Sequence, residues 1–298
     1  MERSMGEAKR RGARDERVAA AKLRDGARKT RPEAQAGIAP EGQFIVRTRD
    51  GALRDPSHVV CAVVRQHADN TTLELVGTGF FVAKSGIFVT ARHVLNTARE
   101  EDPRGPFGLG IVQFIPEMGF VERPILRAII SDHSDIGIGV SAEMTSPTRG
   151  KLDNPILRLS TRDPELGESI FTYAYPDTVA VHRERLTELH INPHFYEGKI
   201  EAHYPERRDS SVLTWPCFQT SMHLHGGSSG GPVFDSTGAV FGINTMSMEP
   251  YTDVSYITKV RDALDLVIDD VCIGEGAPPG QYSLRALAER GFAVVDRL

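Results

Sequence analysis

Short runs rich in Val, Ile, Thr, Phe and Tyr recur through residues 56–260, each closed by Gly, Pro, Asn or Asp. That punctuation confines the region to many short strands and leaves no room for helical crossovers. Six runs precede a polar break at Pro147–Asn154: His58–Arg65, Leu73–Ala83, Ile87–Thr90, Leu109–Ile115, Ile125–Ile130 and Ile136–Val140. A similar set follows: Ile156–Leu159, Ser169–Tyr175, His194–His203, Ser211–Thr220, Gly231–Phe234, Ala239–Asn244 and Val254–Ile257. The expected fold class is therefore all-β, and two successive six-stranded antiparallel barrels use this count naturally. The expected divisions are an arm and linker at 1–55, a first barrel at 56–146, a second at 147–273 and a tail at 274–298. Val260, Leu264, Leu266, Val267 and Val271 form an apolar stripe at helical spacing, so a C-terminal helix of two to three turns is expected to close the second barrel. In the tail, a short helix at Ser283–Arg290 and a short strand at Phe292–Val295 are expected.

The first 31 residues carry eleven basic and five acidic side chains and few apolar ones, which predicts a solvated, partly helical arm. Such an arm can touch nucleic acid or an acidic lipid surface, but a solvated extension without a partner is the simpler reading. The whole chain, at a formal charge of −5, makes no general case for nucleic-acid binding. It has neither a signal-peptide core nor a membrane-length apolar run. Cys61, Cys217 and Cys272 are an odd, scattered set, which argues against a disulfide framework or a zinc site. A cytoplasmic protein without metal or cofactor is expected.

Chemistry concentrates in three segments. In His225–Phe234, Ser229 lies between Gly227-Ser228 and Gly230-Gly231-Pro232. A serine hydroxyl needs a base and a cradle for the oxyanion, and flanking glycines let successive N–H groups converge, here those of Gly227 and Ser229. In Ile87–Leu95, His93 ends an apolar run and is braced by Val94 and Leu95, as a general base must be. In Ser131–Val140, Asp135 opens an apolar strand and is placed to hold the tautomer of His93. Asp132 competes, but it sits in a polar turn with His133 and Ser134.

With these pieces in view the chain resembles the trypsin-like peptidases, and in flavour the bacterial disulfide-free branch that includes the high-temperature-requirement, or Do-like, serine peptidases. The matching segments are Gly77–Phe81, Val89–Val94, Ser134–Ile136, Gly227–Val233 and Gly238–Thr245, within roughly residues 58–268. The resemblance implies a chymotrypsin-like double barrel with its site in the cleft between the barrels. It implies His93, Asp135 and Ser229 as a triad acting on protein or peptide substrates through an acyl-enzyme, and the Gly227 and Ser229 amides as the oxyanion hole. It implies that Gly242, Ile243, Asn244, Thr245 and Met246 line the specificity pocket, with His223 near its base. Ile243, Thr245 and Met246 suggest a preference for small or apolar side chains, whereas His223 would favour an acidic one.

Arg92 and Ser228 depart from the family's usual residues beside the base and the nucleophile, and no Ile-Val-Gly-Gly activation sequence occurs. A peptide-binding domain after the barrels is not expected. The alternative function is a catalytically weak trypsin-like domain acting as a binding or scaffold module. An α/β-hydrolase is disfavoured, because there the histidine follows the serine in the chain.

Overall fold

The computed structural model describes residues 45–296, apart from 67–72, 102–107, 117, 147–149, 177, 184–185, 249–253 and 273–277. Most of the expected basic arm lies outside the described residues.

The first barrel is built from β1 (Val60–Gln66), β2 (Leu73–Ala83), β3 (Ile87–Thr90), β4 (Leu109–Ile115), β5 (Gly119–Ile130) and β6 (Gly137–Ser141), with helix α1 (Arg92–Glu101) between β3 and β4. All neighbours are antiparallel and run in the order β1-β2-β3-β6-β5-β4, where β4 returns to β1. The second barrel uses β7 (Ser169–Ala174), β8 (His194–Tyr204), β9 (Cys217–Thr220), β10 (Pro232–Phe234), β11 (Val240–Ser247) and β12 (Ser255–Lys259). Its order is β7-β8-β9-β12-β11-β10, and β10 closes on β7. The two barrels thus repeat one topology, although no repeat is visible in the sequence. Inward alternation and hydrogen-bond register carry that topology, and many different side chains satisfy both.

One hydrophobic core spans both barrels, from Val60, Phe80, Phe88 and Ile138 to Tyr175, Phe234 and Ile243. Polar bonds cross the same boundary. The Tyr175 hydroxyl donates to Val60 O at 3.1 Å, and the Leu157 N–H donates to Phe81 O at 3.0 Å. Burial pushes the Cys61 thiol up to about 12 and that of Cys217 up to about 11, so both behave as inert apolar side chains. All three cysteines are free.

The C-terminal expectation needs correction. Only Val260–Ala263 is helical, as a single 3-10 turn, and Val267–Val271 is a strand, β13, paired with β14 (Gly280–Ser283). The expected stripe does not hold, since Val267 is 49% exposed and Ile268 is buried in its place. The register shifts between Ile268 and Val271, and Asp270 takes a φ of 54°. Two residues three apart therefore face the core together, as they would on a helix. The tail behaves as expected in kind. Helix α2 (Leu284–Glu289) is capped by Ser283, and Val295–Asp296 pairs parallel to Leu159–Ser160. Among the described residues no helix is long and apolar enough to cross a membrane.

Arg123 on β5 is 3% exposed and fully engaged. Its guanidinium donates to Ala142 O at 2.9 and 2.6 Å, to Gln113 Oε1 at 2.7 Å and to Asn154 Oδ1 at 2.8 Å. Burial pulls it down to about 10, so it stays charged at neutral pH. Arg123→Met keeps the apolar stem but orphans buried acceptors, and each orphan costs about 1–3 kcal/mol. We expect a loss of about 2–4 kcal/mol in urea denaturation; a midpoint equal to the parent's would show that these acceptors find other donors.

Candidate active site

His93 lies in the first turn of α1 and not, as the sequence suggested, at a strand end. The strand stops at Thr90, and the following Arg, Leu, Ala and Glu residues favour helix. The first turn of a helix has N–H groups without intrahelical partners. Asp135, 42 positions away, supplies an acceptor: its Oδ1 takes the His93 backbone N–H at 3.0 Å. Its Oδ2 lies 2.8 Å from His93 Nδ1. With the carboxylate ionised, the ring Nδ1–H is the donor and Nε2 is left as the acceptor nitrogen. One carboxylate therefore fixes both the main chain and the ring of His93. Asp135 is 4% exposed, whereas the His93 side chain is half exposed. Asp132, the competitor, is exposed on the turn. Arg92 assists, because its guanidinium donates to Ser131 O at 3.1 Å and ties the start of α1 to the segment that delivers Asp135.

Ser229 sits in the loop from β9 to β10, where Gly227 and Gly230 take φ of 91° and 83°. The N–H groups of Gly227 and Ser229 have no hydrogen-bond partner among the described residues. The Ser229 hydroxyl donates to Thr245 O at 3.1 Å, and no hydrogen bond joins it to His93. The two segments nevertheless meet across β2. A Cβ added to Gly77 would lie 2.5 Å from Val94 Cγ2 and 2.9 Å from Ser229 O. Only a glycine admits the helix of His93 and the loop of Ser229 on either side of one strand position. Thr78, next along β2, donates its N–H to Ser229 O at 2.8 Å and its hydroxyl to Gly227 O at 2.9 Å. It also accepts the Tyr175 N–H at 3.2 Å through Oγ1 and the Thr90 hydroxyl at 2.7 Å through its carbonyl.

The residues expected to line the specificity pocket are engaged within the second barrel. Ile243 is fully buried in the shared core, which removes it as a pocket-facing side chain. The Thr245 hydroxyl bonds that of Thr258 at 2.6 Å. The Asn244 amide is held inside the barrel, and Met246 packs on the cluster around Trp215 and Tyr256. A side chain at Gly242 would strike Ile257 and Thr258 O. His223 is half-buried, and its ring lies 5.0 Å from that of His225, which in turn contacts Tyr196. No metal-binding cluster occurs among the described residues. Sequence reasoning gave no role to Thr78, Arg92 or Thr172. Thr78 stood inside a quoted motif, but its partners lie too far along the chain for local pattern to reveal them.

The trypsin-like peptidase domain matches residues 77–243, more than half of the chain. The chain belongs to that family. This trypsin-like domain is also 27% identical over 173 residues to "Uncharacterized protein y4bJ" of Sinorhizobium fredii (strain NBRC 101917 / NGR234), covering 58% of the chain but only 22% of that protein. The chain thus spans about a fifth of the length of the curated relative that it matches. Among solved structures, Deg5 is similar at 18% identity and a TM-score of 0.48, covering 69% of this chain and 85% of Deg5. The active form of the Rv3671c protease from M. tuberculosis is similar at 15% identity and a TM-score of 0.48, covering 70% and 78%.

Gly230 offers a check on how tightly the barrels meet at the trypsin-like domain's site. A Cβ there would fall 2.2 Å from Thr90 Oγ1 and 2.3 Å from Thr78 O, at a positive φ. Gly230→Ala should destabilise by about 1–3 kcal/mol through overpacking, with roughly 1 kcal/mol more from backbone strain. Gly226→Ala, where nothing lies within 4 Å, should be close to neutral. Equal denaturation midpoints for the two variants would contradict the close fit.

Proposed function

We propose that this domain is a serine endopeptidase and that His93, Asp135 and Ser229 act together on peptide bonds. In the first half-reaction the Ser229 Oγ bonds to the peptide carbonyl carbon, and His93 Nε2 takes the hydroxyl proton. His93 then gives that proton to the departing amine as the C–N bond breaks, leaving an acyl-enzyme. Water repeats the sequence and releases the acid. The Gly227 and Ser229 N–H groups would receive the oxyanion, each contributing about 2.7–4 kcal/mol. The observation that carries the reading is the two-point hold of Asp135 on His93, which selects the tautomer a general base needs. Segment by segment, the motifs are most like those of the disulfide-free, Do-like branch. Protein or peptide chains are the proposed substrates. A reducing compartment such as the cytoplasm suits three free cysteines.

A second reading has one observation in its favour. The Ser229 hydroxyl has a single hydrogen, and it is donated to Thr245 O. A domain that kept this arrangement would bind chains without cutting them. A fluorophosphonate probe separates the two readings. The parent protein should be labelled, Ser229→Ala should not be, and His93→Ala or Asp135→Asn should lose about 10⁴-fold in rate. Labelling that persists in a folded Ser229→Ala protein would remove Ser229 from the mechanism. A parent protein that neither labels nor cleaves unfolded casein would favour the binding module.

A further inference from the structure

The loop that carries Ser229 has a second hold besides Thr78, and it comes from a side chain that the sequence had marked for substrate. Asn244 on β11 is 1% exposed. Its backbone carbonyl accepts the Gly230 N–H at 2.7 Å, and its N–H donates to Gly231 O at 2.9 Å. Both bonds belong to the β10–β11 edge and survive any change of side chain. The side-chain amide adds two more: Nδ2 donates to Thr172 Oγ1 at 2.8 Å and to Ser228 O at 3.3 Å. The Thr172 hydroxyl in turn donates to Pro232 O at 2.7 Å. A chain of side-chain bonds thus runs from the carbonyl before Ser229 to the carbonyl of Pro232 beyond the glycines. Gly231 makes room for it, since a Cβ there would lie 3.1 Å from Nδ2.

Hydrogen-bond satisfaction does not require this amide. Ser228 O already accepts the Gly231 N–H at 3.0 Å, and Thr172 already has Pro232 O. Asn244 Oδ1, meanwhile, is buried with no partner among the described residues. A buried acceptor without a partner is destabilising, and an apolar side chain of similar shape would avoid it. Stability alone therefore favours leucine at this position. The amide gains its use from the loop beside it, where two glycines at positive φ leave the backbone free to take other conformations. An NH₂ group has two donors and reaches both partners at once, which neither a carboxylate nor a methyl can do.

We propose that Asn244 is a positioning residue for the nucleophile and not a substrate contact: its amide, relayed by Thr172, clamps the peptide groups on both sides of Ser229. The proposal rests on Ser229 being the nucleophile, and its test keeps the two ideas apart. Full-length Asn244→Leu is compared with the parent for fluorophosphonate labelling, for kcat and KM on labelled unfolded casein, and for Tm. Labelling and kcat should fall roughly 10- to 100-fold, with KM unchanged and Tm equal or higher. Thr172→Val should lose rate in the same way, and Thr172→Ser, which retains the hydroxyl, should recover what valine loses. The double variant Asn244→Leu/Thr172→Val should be no worse than the poorer single, because both break one relay. Parent-like labelling in Asn244→Leu beside a silent Ser229→Ala sinks the clamp alone, as does a raised KM at constant kcat or a rate loss that tracks a fall in Tm. Labelling in Ser229→Ala sinks the nucleophile and the clamp with it. If Asn244→Leu does not fold, the Thr172 pair decides: equal rates for valine and serine reject the relay.

Discussion

Thr78 is the residue on which the site's geometry depends. It lies on a strand of the first barrel, yet its N–H and hydroxyl reach two carbonyls of the Ser229 loop, its oxygen receives the end of β7, and its carbonyl receives the hydroxyl of the last residue of β3. The helix bearing His93 starts directly after that strand. Besides the bonds of Tyr175 to Val60 O and of Leu157 to Phe81 O, the two barrels meet through side-chain packing, which is not directional. Directional bonds at one residue supply at the site what packing lacks. Gly77 and Gly230, one on each side of the boundary, bring the backbones close enough for the bonds to form.

Asp135 plays the corresponding part within the first barrel. Its carboxylate sits near the positive end of α1 and accepts a first-turn N–H, a favourable arrangement whether or not the ring is present. The ring bond is added to a position already determined by the backbone. Structural and chemical requirements therefore coincide at Asp135. At Asn244 they diverge, since its unpartnered Oδ1 burdens the fold. The Ser228 hydroxyl, buried without a partner beside Ser229, is a second such burden. Two polar groups that lower stability thus lie at this loop, although others of the kind, such as His58 Nδ1 and Thr178 Oγ1, lie elsewhere in the fold.

Much of this was legible in the chain. Leu73–Ala83, Ile87–Thr90 and Leu109–Ile115 run as strands with the bounds their composition implies, because each is apolar and sharply punctuated. Local context and family resemblance offered His93, Asp135 and Ser229 as a trio; the structure bonds the first two to each other and the Ser229 hydroxyl to Thr245 O. The errors share a cause: local pattern with a tertiary decision behind it. The helix at His93 was hidden by an apolar run entering it, and its partner carboxylate lies 42 positions on. The apolar spacing of Val267 and Val271 suggested a helix, but the segment is a bulged strand with Val267 exposed. The hairpin of Val179–Arg183 and Leu186–His190 has no clean alternation to announce it. Thr78 and Gly227 are 149 positions apart, a separation that no window spans. The family resemblance marked Ile243 as a pocket residue, but its side chain is fully buried in the core shared by the barrels.

The resting bond from Ser229 to Thr245 O bears on how the proposed chemistry would begin. A hydroxyl hydrogen serves one acceptor at a time, so the proton cannot reach His93 until the Thr245 carbonyl gives it up. That carbonyl belongs to β11, beyond Asn244, whose own N–H and carbonyl are already paired with the Ser229 loop. An extended substrate segment carries backbone N–H groups, and one that paired with Thr245 O would share that carbonyl with the hydroxyl and loosen its hold on the Ser229 hydrogen. While the hydroxyl stays on Thr245 O it points away from the proposed base, and the clamp from Asn244 would hold the loop still while the side chain alone turned.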